Sequence, residues 1–125
     1  MMKLTIIYLA FISVVYAQDD VDAKKIKCLL NSVGKSGHVF IRNGSEHNAQ
    51  KAQEHLEHKY NRAKKSSWPF HKKIEVSVNK FIDKIASKSS FSGKDYHLLV
   101  KGTRVSTREW LYSKLKTDCQ SPQVP

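Results

Sequence analysis

Negative charge is scarce in this sequence: 11 Asp and Glu are set against 22 Lys and Arg, a formal net charge of +11. That balance disfavours a neutral partner. Phosphate or clustered carboxylate would be drawn in over a Debye length of about 8 Å at physiological salt. Long apolar runs are equally rare. The run Leu4–Val15 is too short to span a bilayer, follows Lys3, and ends at Val15-Tyr16-Ala17, where signal peptidase needs small residues. Residues 1–17 are therefore expected to be a secretory signal peptide, 18–119 a single domain and 120–125 a flexible tail. The product is expected to be exported, either periplasmic or released outside the cell.

Cysteine is limited to Cys28 and Cys119, and neither lies in a C-x-x-C or beside a His at ligand spacing. That disfavours a reactive thiol or a metal site. In an oxidising compartment the pair reads as a disulfide, closing most of the domain into one loop and stabilising it by roughly 4–5 kcal/mol. Also missing are G-x-S-x-G and the K-T-G that would give meaning to the S-x-x-K matches at Ser32 and Ser77. Nothing in the chain calls for a cofactor or metal.

What is present is helical periodicity. Ile26, Leu29, Leu30 and Val33 form one stripe, with Gly34 and Gly37 as its stop. Ala49, Ala52, Leu56, Tyr60 and Ala63 form a second, capped by Ser45 or Asn48. Val78, Phe81, Ile82 and Ile85 mark a third behind Ser77, and Trp110, Leu111 and Leu115 a fourth behind the Ser106–Glu109 capping box. HVFI is a short extended run closed by Asn43-Gly44, and YHLLV with RV would make a small hairpin around Lys101-Gly102. No internal repeat is evident. The expected fold is mainly α: a small four-helix domain with at most a minor β-hairpin and one disulfide.

FIRNGSEH (Phe40 to His47), the AxxHLxxKY run from Ala52 to Tyr60, and FIDKIASKSSFSGKDY (Phe81 to Tyr96) resemble the YfeK-like family of short exported bacterial proteins. The likeness runs from about Ile26 to Leu115. It implies a bacterial, exported, mostly helical protein and, since that family's function is unknown, no catalytic assignment. Against the family pattern, Trp68 and Phe70 look like an insertion.

The insertion, SSWPFHKK, lies within RAKKSSWPFHKK (62–73), which holds Trp68 and Phe70 around Pro69, with Arg62, Lys64, Lys65, Lys72 and Lys73 on either side. Proline stiffens an exposed turn. Aromatic rings favour the headgroup–acyl boundary, and each basic residue near an acidic membrane adds about 1 kcal/mol before screening. These seven residues are the expected lipid- or anion-binding site, with acidic phospholipid or phosphoinositide headgroups as partner. The plainer alternative is that both rings fold into the core. Nucleic acid is disfavoured because the rings are confined to one turn and export removes the chain from its own nucleic acid. A protein or polysaccharide partner stays open, and a monomer is expected.

A secondary candidate pocket joins Arg42, Asn43 and His47 to the hydroxyls of Ser87, Ser89 and Ser90, for a small ligand or an enzyme. The competing reading makes FIRNGSEH architectural, with Arg42 pairing with Asp83 or Glu46. His55 and His58 tempt toward a metal but lack the spacing of a metalloprotease helix, and read as a solvated helix face. The sequence thus points to an exported, non-enzymatic binding protein, with a pocket on FIRNGSEH as the alternative.

Overall fold

The computed structural model describes residues 17–65 and 74–120. The expected leader up to residue 16, the ring-bearing segment 66–73 and the tail from 121 lie outside the described residues. Helix α1 spans Ala17–Lys35 and ends where Gly37 takes a φ of 68°. Strands β1 (Val39–Arg42) and β2 (Ser45–His47) follow, then helix α2 (Ala49–Lys64). A short α turn, Val78–Lys80, is α3, and it runs directly into a π-helical segment, Phe81–Ala86. Strands β3 (His97–Val100) and β4 (Thr103–Ser106) then lead into helix α4, Thr107–Thr117.

The mainly-α expectation is wrong. Four strands form one antiparallel sheet in the order β2-β1-β3-β4. The physical reason lies in FIRNGSEH. Asn43-Gly44 does not simply close an extended run. With φ of 48° and 79° it makes the two-residue turn that matches strand twist and sends Ser45–His47 back along β1. The cap of α2 is therefore Asn48, whose side chain accepts from Lys51 N. The expected hairpin around Lys101-Gly102 exists, but it does not stand alone: β3 pairs with β1, Phe40 opposite Leu98. Two hairpins joined edge to edge bury a shared face, which neither could do by itself.

Each hairpin feeds a helix at the same remove from its turn glycine, Asn48 capping α2 as Ser106 caps α4. This two-fold relation passes unseen in the sequence because the two halves share almost nothing but Gly44 and Gly102.

The helical stripes bury as their periodicity requires. Ile26, Leu29, Leu30 and Val33 meet Leu56, Tyr60, Phe81, Ile82, Ile85 and Leu111 in one core. Tyr60 and Phe81 contact edge to face at 5.6 Å between ring centroids, and Phe40 reaches Trp110 in the same manner at 6.1 Å. Asp83 holds the π segment to α4: it accepts from Arg108 Nε at 2.8 Å and Tyr112 Oη at 2.9 Å. Cys28 of α1 is bonded to Cys119 just beyond α4. Because side chains alternate along a strand, Phe40, Arg42, His47, Leu98 and Val105 share the sheet face turned toward the helices. That parity aims Arg42 at α2.

Candidate functional site

Between that sheet face and α2 lies a cleft of about 430 Å³, walled by Phe40, Ala52, Leu56 and Ala86. It opens into a polar mouth of about 400 Å³, lined by Asn43, Lys59, Arg62, Ser89, Ser90 and Phe91. Arg42, His47, His55 and Tyr96 border both and form the waist between them. One end is apolar and the other cationic.

At the waist, Arg42 Nη1 sits 2.8 Å from His55 Nδ1 and 2.7 Å from Nε2. Guanidinium can only donate, so the imidazole accepts and is neutral. Burial, then the charges of Arg42 and Lys59, push His55 down to a pKa of about 4. Tyr96 Oη, also at the waist, lies 3.5 Å from His55 Nε2. One helical turn on, Lys59 Nζ donates to Tyr96 Oη at 3.2 Å and to the Lys88 carbonyl at 2.8 Å. Burial, with Arg42 adding to it, lowers Lys59 to about 8. Tyr96 is shifted upward by burial, although Arg42 and a bond with Ser89 act against that, so it stays a phenol. Among the described residues neither Arg42 nor Lys59 has a carboxylate partner; the ion pairs are Lys51–Glu54, Asp83–Arg108 and Lys114–Asp118. Arg42 is thus paired with neither Asp83 nor Glu46.

The secondary pocket expected from sequence is partly assembled. Arg42 and His47 line the cleft, and Asn43 Nδ2 donates to Ser89 Oγ at 3.3 Å beside it. Ser90 is exposed at the mouth. Ser87 is not at the site: buried, it donates to the Ile82 carbonyl inside the π segment. Of the aromatic–lysine set, Arg62 borders the mouth, Lys64 lies over the Tyr60 ring at 4.3 Å, and Lys65 is exposed at the end of α2. Trp68, Phe70, Lys72 and Lys73 fall outside the described residues. The chain leaves and re-enters the described region at one place, Ile74 N donating to the Lys64 carbonyl at 3.3 Å.

Sequence reasoning missed His55, Lys59 and Tyr96. His58 is exposed as expected, but His55 is half buried against Arg42. The residues sit 13 and 41 positions from their partners, and no local pattern announces such pairings. Among the described residues no three His, Cys, Asp or Glu side chains gather in a way that could hold a metal.

Two buried polar atoms facing this region, His47 Nε2 and Thr107 Oγ1, have no hydrogen-bond partner among the described residues. Thr107 is only 1% exposed. An orphaned hydroxyl costs its desolvation, so the isosteric Thr107→Val should leave stability unchanged or raise it by about 1 kcal/mol. Thermal denaturation checks this; a loss of that size would show that the hydroxyl is bonded after all.

The chain belongs to DUF5329, a family of unknown function whose pattern matches residues 20–118. It is 36% identical over 73 residues to the uncharacterized protein YfeK of Salmonella typhimurium strain LT2. That match covers 58% of this chain and 54% of YfeK, so the chain spans about half the length of that relative. No solved structure matches.

Proposed function

We propose that this chain is a non-enzymatic binding protein for an anionic ligand with an apolar portion. The anion meets Arg42 and Lys59 at the waist and mouth, and the apolar part lies against Phe40, Leu56 and Ala86. One observation carries the reading: two half-buried cations, Arg42 and Lys59, line one polar mouth whose described lining holds no carboxylate, while Glu54 on the cleft wall pairs with Lys51. Burial, with repulsion from Arg42 adding to it, lowers Lys59, and an arriving anion offsets both. Catalysis through His55 is disfavoured because an imidazole lowered to a pKa of about 4 is a weak base, and the Arg42 guanidinium sits against both of its ring nitrogens.

Among sources of such an anion we favour the acidic lipid headgroup, in keeping with the +11 charge. The leader-like start and the disulfide support export to the periplasm or beyond.

Octanoate, with 1-octanol as its neutral counterpart, tests the cleft by calorimetry. A base with a lowered pKa is charged below that pKa, so Lys59 is mostly cationic at pH 7 and neutral well above its pKa of about 8. The bound anion raises that pKa, binding takes up a proton, and affinity falls as pH climbs through this range. A drop of about tenfold between roughly pH 7 and 9.5 is expected, with Arg42 sustaining the remainder. Equal affinity for 1-octanol, or none of this pH dependence, would contradict the reading.

A further inference from the structure

Phe91 is fully exposed, and its loop holds it there. Ser89 Oγ accepts from the amides of Phe91 and Ser92, both at 3.2 Å, and Gly93 N donates to the Ser89 carbonyl at 2.9 Å. Asn43, from the β1–β2 turn, grips the loop from the side: it donates to Ser89 Oγ, and its Oδ1 accepts from Ser92 Oγ at 2.8 Å. A loop tied at so many points could have turned its ring inward; this one presents it. The ring stands at the mouth that Arg42, Lys59 and Arg62 also line, with Lys88 and Lys94 on the flanks of its own loop. Asp95 is the single carboxylate in that stretch of chain, from 87 to 96.

We propose that the Phe91 loop is a membrane-contact element, which sinks its ring to the headgroup–acyl boundary of an acidic bilayer while the surrounding cations meet the phosphates. The small area of the tip favours a bilayer over a protein. A single ring on a narrow tip offers far less than the roughly 1,000 Å² a specific protein interface needs. A membrane accepts one ring at a time and adds the charge term of every nearby cation. The inference requires neither an occupied cleft nor any residue of segment 66–73.

Vesicle co-sedimentation tests it, using phosphatidylcholine alone and phosphatidylcholine mixed with phosphatidylserine. The full chain should pellet with the mixed vesicles and not with the neutral ones. Phe91→Ala should lower the partition coefficient about tenfold, and Phe91→Trp should preserve it. Since the ring packs on nothing, neither change should move the unfolding temperature. Octanoate titration of the wild type is read separately from the pellet, so failure of the cleft reading would show in that titration and not in the vesicle partition of Phe91→Ala. Undiminished pelleting of Phe91→Ala overturns the proposal, as does equal pelleting with neutral vesicles or none with either. Loss confined to Trp68→Ala/Phe70→Ala would overturn it as well, moving the contact to that segment.

Discussion

Reduction of the Cys28–Cys119 bond is expected to lower the stability of this protein by roughly 4 kcal/mol. For a domain of this size that means a fall in unfolding temperature of about 15–30 °C. The two cysteines lie 91 positions apart, so the bond closes nearly the whole domain and removes a large share of the entropy of its unfolded chain. It also pins α1 to the end of α4, two helices that contribute Leu29 and Leu111 to the same core. Differential scanning calorimetry with and without reductant, or on Cys28→Ser/Cys119→Ser, measures the effect. A shift under about 5 °C, near 1 kcal/mol for such a domain, would show that the ends are held by other means. Neither cysteine lines the cleft or its mouth, and the reduced protein, kept cold, should still bind octanoate.

The second large effect belongs to Arg42. Replacing it with glutamine keeps a donor for His55 but removes the one cation at the waist that no accessible pH neutralises. Octanoate affinity should fall about 30- to 100-fold, in line with roughly 2–3 kcal/mol for a charge-assisted contact. The same change lifts a positive charge from beside His55, whose pKa should climb from about 4. An NMR titration of the imidazole reads that climb without any ligand. Stability should hold or improve, because the change relieves repulsion between Arg42 and Lys59. Intact affinity in a folded Arg42→Gln protein would remove the anion from the waist.

Much of the helical frame was legible. Ile26 to Val33 and Ala49 to Tyr60 repeat at helical spacing, and each stripe is buried. The sheet was not legible, and β2 shows why. Ser45, Glu46 and His47 carry no apolar alternation; they are held in register by backbone bonds to Phe40, Ile41 and Arg42, and backbone bonding leaves no mark on composition. With Ser45 equally able to cap a helix, nothing in the sequence links HVFI to YHLLV across the length of chain between them.

The site was half legible for a related reason. Arg42, Asn43 and His47 share a turn and drew notice as a cluster. Their chemistry depends on His55, Lys59 and Tyr96, which the β1–β3 pairing and the seating of α2 bring in from elsewhere. Phe91 was hidden by its neighbours, since a phenylalanine among serines and a glycine looks like an ordinary loop.

The proposal that an anion is received between the sheet and α2 is tested most directly by following backbone and imidazole resonances during an octanoate titration. Saturable shifts at Arg42, His47, His55, Lys59 and Tyr96, absent from Arg42→Gln, are the predicted result. Shifts missing from those residues, or scattered over the outer surface of α1, would contradict it.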